Sequence, residues 1–303
     1  MRLKLIMNPG ARSGRGRRLW QRWAEHLRGR GCAMETVLTQ SLSHAMELAR
    51  ASRGCDAVVA VGGDGTVNAV LDGVMQAGDP ELAMGVLYCG TSPDFCRFHG
   101  IPLEPDAAVE ALLGGKRRLV DVGRITYGRP NGAQATAHFG CGSNIGLGAA
   151  IARMANRVRR FLGDAVGTGL AVLAALARIP PADLSAEIDG EPHPLPRNNN
   201  LSILKNPFIA SGMKLNVGLR PDDGDLCAVA ISGRTPAGLL QALPGFYSGR
   251  AAAAPGIWVR KCRRIVVRGP AATEVEFDGD PRGCLPVAIA ILPRSLPLIG
   301  SQA

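Results

Sequence analysis

A glycine-rich segment follows an apolar stretch near residue 60. The apolar run Val58 to Val61 predicts a buried strand, and helical spacing of apolar residues resumes at Val67. The intervening segment is Gly62-Gly63-Asp64-Gly65-Thr66. Glycines at a strand-to-helix junction let backbone N–H groups approach a ligand, and the helix dipole favours an anion there. The segment therefore predicts a phosphate-binding loop.

Asp64 has the wrong charge for bare phosphate. A carboxylate beside a polyphosphate is tolerable mainly when a cation lies between them, which favours a nucleotide bound with Mg²⁺. The alternative is an ordinary glycine-rich turn in which Asp64 only caps the helix. Neither GxxxxGK[ST] nor GxGxxG occurs, which argues against a P-loop NTPase and a dinucleotide-binding Rossmann enzyme.

The balance of charge narrows the class of partner. The 303 residues include 35 Lys and Arg against 25 Asp and Glu, and nine of the first 30 residues are basic. This asymmetry predicts an anionic partner. Aromatic residues make up only 4% and are not interleaved with basic ones, so nucleic acid is disfavoured. Nucleotide phosphates and an anionic membrane surface remain.

Cysteine usage and hydropathy predict a cytoplasmic protein that associates with membranes only peripherally. Eight cysteines occur without a CxxC pair, which indicates reduced thiols rather than a zinc site or a disulfide framework. The N-terminal segment is too short and too charged for a signal peptide. The longest uncharged apolar stretch, Ala165 to Ala177, has 13 residues, whereas a membrane span needs about 20.

The first 125 residues alternate between predicted strands and helices, which indicates a parallel sheet with helices on both faces. Ligands bind such sheets beyond the carboxyl ends of the strands, so the loops after Met7 and Val61 are expected to converge. The predicted strands are Leu3 to Met7, Glu35 to Thr39, Ala57 to Val61, Ala83 to Tyr88 and Arg118 to Ile125. The predicted helices are Arg17 to Leu27, Leu42 to Ser52 and Val67 to Gln76, with two short ones after Pro93 and Pro105.

After Ile125, short alternating segments with turn residues predict a β-rich domain over residues 126–292. A helical insertion near residues 149–178 interrupts it. One face of this insertion is apolar and the other carries Arg153, Arg157 and Arg160, so the helix either packs in the core or contacts anionic lipid. The stretch Leu285 to Leu292 is a further predicted strand.

Several motifs, in order, resemble those of the diacylglycerol kinase, sphingosine kinase and NAD kinase superfamily. Gly62 to Thr66 is similar to its GGDGT signature, Asn8 to Gly14 resembles the NPxxG loop of the lipid-kinase branch, and Gly90 to Phe95 resembles GTxNDF. The similarity continues through Asp121-Val122-Gly123, Asn144 to Gly148, Asp222 to Leu226 and Phe277 to Asp280. The resemblance implies an α/β N-terminal domain of the NAD kinase/diacylglycerol kinase type (residues 1–125) and a β-rich C-terminal sandwich. It also implies that a C-terminal strand, about 293–303, packs back on the first domain.

The same resemblance implies an ATP site and a structural Mg²⁺ site. The positions that match the nucleotide contacts of the family are Asn8, Pro9, Gly10, Ala11, Arg12, Thr39, Gly62, Gly63, Asp64, Gly65, Thr66, Val67, Asn68 and Thr91. The positions that match the ligands of its structural Mg²⁺ are Arg220, through its main-chain carbonyl, Asp223 and Asp225. Hard oxygen ligands in a glycine turn suit Mg²⁺ or Ca²⁺, and an ordinary acidic turn is the alternative.

Two carboxylates are the catalytic candidates. Asp280 stands where the family has the Glu of a DGE motif, the base for the substrate hydroxyl, and it is one methylene shorter. A misplacement of about 1 Å can cost on the order of a hundredfold in rate. Asp121 matches a family carboxylate that works with the base or metal, and a turn-capping role is its alternative. A literal Asp-Gly-Glu at residues 189–191 is predicted to be a hairpin turn instead.

The sequence as a whole predicts an ATP-dependent lipid kinase that transfers the γ-phosphoryl group to a hydroxyl of diacylglycerol or a sphingoid-like lipid. ATP and Mg²⁺ are the expected cofactors, and the lipid and an anionic membrane are the expected partners; a homodimer remains open. One alternative is a catalytically degenerate nucleotide or lipid sensor, suggested by Asp280 and by Pro93, which stands where the family has Asn. The other is an NAD kinase-like enzyme.

Overall fold

The computed structural model describes residues 1–10, 16–129, 131–162, 164–209, 213–250 and 254–300. Its first part alternates strands and helices, as the apolar pattern predicts. The elements are β1 (Arg2–Met7), α1 (Gly16–Gly29), β2 (Ala33–Leu38), α2 (Leu42–Arg50), β3 (Ala57–Gly62), α3 (Asp64–Ala77), β4 (Ala83–Tyr88), α4 (Asp94–His99), α5 (Pro105–Leu113) and β5 (Arg117–Gly128).

Strands β1 to β4 form a parallel sheet in the order β2-β1-β3-β4. Every residue of β3 and β4 is buried, as expected for parallel strands covered by helices on both faces. The parallel prediction holds for these four strands but not for β5, which pairs antiparallel with two later strands. Most of the strand pairings described are antiparallel, and these involve β5 and the later strands.

The second part is built mainly from antiparallel strands around their own apolar core. Its strands are β6 (Gln134–Phe139), β7 (Gly142–Gly146), β8 (Ala182–Ile188), β9 (Glu191–Leu204), β10 (Phe208–Ile209), β11 (Met213–Lys214), β12 (Leu226–Ser232), β13 (Ile257–Cys262), β14 (Arg264–Arg268), β15 (Glu274–Phe277) and β16 (Asp280–Ile299). Its helices are α6 (Leu147–Leu162), α7 (Asp164–Arg178) and α8 (Pro236–Tyr247).

Strand β16 links the two parts. It pairs antiparallel with β5 along most of its length, and near its end Leu298 pairs in parallel with Met84 of β4. Leu296 and Leu298 are fully buried in the same apolar cluster as α3. The predicted boundary at residue 292 falls inside this strand, at a shift of register between Leu292 and Leu296. The last strand is therefore much longer than the predicted Leu285 to Leu292.

The helical insertion consists of two helices, α6 and α7. Helix α8 was not predicted from the sequence. Its signals are present, since Thr235 caps the N-terminus and Pro236 opens the first turn. Helix α7 exposes Leu170 and Leu173 to solvent. Across the described ranges, no helix is both long and apolar enough to cross a membrane.

Helix α3 packs on α2 through Gly73, and this contact gives a test of the fold. A Cβ added at Gly73 would lie 2.3 Å from the Met46 carbonyl oxygen, whereas one added at Gly169, a helical position on α7, meets nothing within 4 Å. We expect Gly73→Ala to lower the free energy of unfolding by about 1–3 kcal/mol, because backbone must move to accept the methyl group. Gly169→Ala should instead raise it by about 0.5–1 kcal/mol. Denaturant unfolding measures both, and equal effects would contradict the packing.

Candidate active site

The glycine loop is a tight junction between β3 and α3. Gly63 caps the helix without a side-chain hydrogen bond. A Cβ at Gly62 would lie 2.4 Å from Thr66 Oγ1, and one at Gly63 would lie 3.2 Å from the Cα of Gly90. A side chain at Gly62 would therefore collide with Thr66, and one at Gly63 would press on the loop at Gly90. The N-terminus of α3 is left accessible to an anionic ligand.

The loop after β1 reaches the same place, as predicted. Asn8 Nδ2 donates to Thr66 Oγ1 at 3.3 Å, and the Asn8 side chain accepts from the Gly10 N–H at 3.0 Å. The Thr39 N–H donates to the Met7 carbonyl at 2.8 Å, which puts the end of β2 beside the end of β1. Of the other predicted nucleotide contacts, Ala11 and Arg12 lie outside the described residues.

Asp64 is held by the end of the next strand. Tyr88 donates its hydroxyl to Asp64 Oδ2 at 2.6 Å and accepts from the Ser92 N–H at 2.9 Å. Burial raises the pKa of Asp64 to about 6, although the Tyr88 hydrogen bond opposes this. A group that is costly to ionise without a partner is suited to hold a cation, and a cation would restore its ordinary acidity.

The loop that contains Thr91 leads into α4. Thr91 itself is exposed. The helix begins at Asp94, as predicted, and Pro93 occupies the cap position before it. Phe95 is buried, and a Cβ added at Gly140 would lie 2.7 Å from its ring. Pro93 is therefore compatible with a helix here, and Phe95 packs against the second part of the chain.

Asn68, one turn into α3, connects the glycine loop to the Asp278-Gly279-Asp280 turn. It donates to Asp278 Oδ2, and its Oδ1 accepts from Arg282 Nη2 at 3.1 Å. Arg282 Nε lies 2.9 Å from Asp280 Oδ2, so the candidate base is paired with a guanidinium. The Asp280 side chain keeps 39% of its exposure, which leaves it reachable by a substrate.

Asp278 fixes the position of this turn. Its carboxylate accepts three backbone N–H groups, from Gly140 at 2.8 Å and from Cys141 and Gly142 at 2.9 Å, in addition to Asn68. Burial raises the pKa of Asp278, and the backbone donors oppose that rise. The carboxylate is therefore a structural acceptor, whereas Asp280, two residues on, remains partly exposed.

A second acid lies behind the turn. Glu276 is buried and accepts from Asn144 Nδ2 and, at 2.8 Å, from the Gly279 N–H. Burial raises its pKa to about 7, and these two hydrogen bonds act against the rise. Glu276 holds the Gly279 backbone and thereby orients Asp280.

The other predicted catalytic acid, Asp121, is buried in a different cluster. Its carboxylate accepts from Lys205 Nζ at 2.8 Å, from the Gly224 N–H at 2.7 Å and from the Arg294 N–H at 2.8 Å. The predicted metal ligands Arg220, Asp223 and Asp225 surround the same Lys205. Asp121 is thus placed with the 220–225 turn, and the hydrogen bonds of its carboxylate go to structural partners.

The Asp189-Gly190-Glu191 segment is a hairpin turn between β8 and β9, as predicted. Asp189 and Gly190 both have positive φ, 50° and 89°, and Glu191 pairs with Arg260 at 2.8 Å.

The residues that sequence reasoning missed are Tyr88, Lys205, Glu276 and Arg282. Tyr88 had an available signal, because it ends a parallel strand at the edge where the other two loops lie. Lys205 is a lone charge directly after the apolar run that ends at Leu204. Arg282 and Glu276 flank the motif turn, and nothing in their spacing predicts their contacts.

Comparison with solved structures shows the fold. The crystal structure of a diacylglycerol kinase from Bacillus anthracis str. Sterne matches with a TM-score of 0.70 at 17% identity, covering 98% of this chain and 96% of that one. Yeast NADH kinase complexed with NADH matches with a TM-score of 0.53 at 11% identity, covering 99% of this chain and 82% of that one.

Comparison of sequences shows the family. A diacylglycerol kinase from Mycobacterium tuberculosis is 26% identical over 252 residues, 83% of this chain and 79% of the relative. Residues 2–125 match the diacylglycerol kinase catalytic domain, and residues 143–300 match the YegS C-terminal NAD kinase beta sandwich-like domain. These matches confirm the resemblance seen in the motifs. The chain belongs to the diacylglycerol kinase and YegS family of lipid kinases.

Proposed function

We propose that this protein transfers the γ-phosphoryl group of ATP to the hydroxyl of a membrane lipid of the diacylglycerol or sphingoid type. One observation carries the proposal: Asn68, on the helix that follows the glycine loop, bonds both Asp278 and Arg282 beside Asp280. Asn68 lies one turn into α3, directly after the glycine loop, and Arg282 connects it to Asp280. The proposed phosphate-binding loop and the candidate base are thereby held near the same turn of α3. A phosphoryl donor and a hydroxyl acceptor bound there would lie close together.

The nucleotide is proposed to bind where the loops after β1, β3 and β4 converge. The N-terminus of α3 and Asn8 would contact its phosphates, and the glycines at 62 and 63 let this loop pack tightly against Thr66 and the loop at Gly90. Asp64, whose charge is costly without a cation, would hold Mg²⁺ against those phosphates. Mg²⁺ neutralises charge on the polyphosphate when it is bound.

Asp280 is proposed as the base. It would accept the proton of the lipid hydroxyl as that oxygen bonds to the γ-phosphorus and the bond to the β-phosphate oxygen breaks, which releases ADP. Arg282 would orient Asp280 and place positive charge beside the transferred group. Two alternatives remain: a sensor that binds nucleotide without transfer, motivated by the shorter Asp280, and an NAD kinase-like activity, motivated by the shared fold.

The lipid would be reached by peripheral contact with an anionic membrane. Arg22 and Arg30 of α1 pair with Asp106 and Glu110, and Arg153 pairs with Glu274, so these arginines are partly neutralised. Leu170 and Leu173 lie on one face of α7 with exposures of 47% and 55%. We propose that this leucine pair enters the membrane surface, while the net charge of +10 favours anionic lipid.

Asp64→Asn separates the nucleotide role from folding. We expect ATP-dependent lipid phosphorylation to fall by about 10³-fold or more, because the ligand of the cation is lost. The pKa of Asp64 is about 6 in the folded protein against 3.8 ordinarily, so wild-type stability should fall as pH rises from about 4 to about 6. At pH 7 the free energy of unfolding of Asp64→Asn should exceed that of the wild type by on the order of 1 kcal/mol.

Glu47→Gln is the matched control for that variant, since Glu47 is an exposed acid on the neighbouring helix α2. It should change neither activity nor the pH profile of unfolding. Wild-type transfer rates in a folded Asp64→Asn protein would exclude the proposed cation role.

Asp280→Asn tests the base. Turnover should fall by roughly 10²- to 10⁴-fold while the affinity for ATP is unchanged, the size expected for losing general-base assistance. Asp280→Glu, which restores the residue of the family, should keep activity if the turn tolerates the longer arm. Glu191→Gln, in the look-alike hairpin, should have no effect. Equal, slow transfer by wild type and Asp280→Asn, with ATP still bound, would support the sensor instead.

Vesicle sedimentation tests membrane contact. The double variant Leu170→Ser, Leu173→Ser should bind anionic vesicles about tenfold more weakly, and wild-type binding should decrease as salt increases. Leu119→Ser is the control, because Leu119 is similarly exposed, at 50%, on β5. Equal binding by both variants would contradict a role for α7.

A further inference from the structure

Lys205 places an ammonium group inside the turn where the sequence predicts a structural Mg²⁺. Its side chain is fully buried. Nζ lies 2.7 Å from the Arg220 carbonyl oxygen, 2.7 Å from Asp223 Oδ1 and 3.2 Å from the Asp225 carbonyl oxygen. The three residues predicted to hold a metal therefore all bind Lys205. These distances are those of N–H···O hydrogen bonds.

Mg²⁺ does not fit among these oxygens while Lys205 is in place. Mg²⁺ takes its ligands at about 2.0–2.1 Å, so an ion bonded to the same oxygens would overlap the space of the ammonium group. Two cations so close together in a buried site would also repel each other strongly. In the described part of the chain, no three His, Cys, Asp or Glu side chains are grouped in a way that could hold a metal ion.

Lys205 supplies part of the positive charge that a divalent metal would bring to this cluster. Asp121 is its second buried carboxylate partner, at 2.8 Å. Burial raises the pKa of Asp223, but the hydrogen bond from Lys205 and those from the Arg220 and Asp225 backbone outweigh it, so the net shift is downward. A second lysine, Lys261, lies at the exposed edge of this cluster, with its Nζ 3.3 Å from Asp225 Oδ2.

The cluster also joins distant segments. Lys205 follows β9, Asp121 lies on β5, and the Arg294 N–H comes from the irregular part of β16. The Asp121 N–H donates to the Pro221 carbonyl at 2.8 Å, and the Gly224 N–H donates back to Asp121. A cation at the centre is required because two buried carboxylates face it.

We infer that Lys205 is a covalently tethered replacement for a structural divalent cation. The 220–225 turn of this chain is therefore stable without metal. This inference does not rest on the proposed function, because it concerns the folded protein without ATP.

Thermal unfolding of the full chain, without nucleotide, tests the inference. The wild-type midpoint should be the same in EDTA and in MgCl₂. A wild-type midpoint that falls in EDTA and recovers in MgCl₂, with the response lost in Asp223→Asn but kept in Asp64→Asn, would overturn the inference. This measurement needs no variant of Lys205.

Variants of Lys205 give the complementary result. Lys205→Ala should lower the midpoint by about 5–10 °C in EDTA, since two buried carboxylates lose their cation, and MgCl₂ should recover part of the loss. Lys205→Met should be destabilised without recovery, because its side chain fills the space that an ion needs. Lys261→Met, which removes the exposed lysine from the same carboxylates, should change little. A Lys205→Ala protein with the wild-type midpoint in EDTA would contradict the inference.

Discussion

The Asp278 carboxylate is the contact on which the candidate active site depends. It accepts hydrogen bonds from three consecutive backbone N–H groups, Gly140 to Gly142, and from Asn68 of α3. Three of these donors belong to the β-rich part of the chain and the fourth to the helix of the glycine loop. A buried carboxylate must be satisfied in this way, because leaving it with unpaired oxygens is costly. The need to satisfy one acid therefore brings the two halves of the site together.

The same turn shows how acids close in sequence can take different roles. Glu276 is buried and holds the Gly279 backbone, Asp278 is an acceptor for backbone donors, and Asp280 remains partly exposed beside Arg282. Burial raises the pKa of Glu276 to about 7, so this side chain is poorly suited to remain charged without its partners. We therefore propose only the third acid as the one that meets a substrate. Residues two apart on a strand face the same side, so it is the turn at Asp278 and Gly279, both with positive φ, that gives the three acids different surroundings.

Two carboxylate clusters in the protein solve the problem of buried charge differently. At the 220–225 turn, Lys205 forms a permanent ion pair with both Asp121 and Asp223. At the glycine loop, Asp64 has Tyr88 as a hydrogen-bond donor, and burial raises its pKa to about 6. A site that contains its own cation is a structural element, whereas a site whose charge lacks a counterion favours a cation-bearing ligand. This difference explains why the two acidic motifs are assigned different chemistry.

The sequence alone determined the strand-loop-helix units at Asn8 and Gly62 and the hairpin turn at Asp189, because the spacing of apolar residues and the positions of glycines are local properties. The family was indicated by the resemblance of its ordered motifs. It predicted β1 to β4 as a parallel sheet but not the antiparallel pairing of β5 or the full length of β16, which depend on distant partners. Likewise, the motif at 220–225 looked like a metal site, and only the tertiary structure placed Lys205 among its oxygens. The bonds from Asn68 to Asp278 and from Arg282 to Asn68 were also decided by the fold. Contacts between residues more than 200 positions apart leave no local pattern to read.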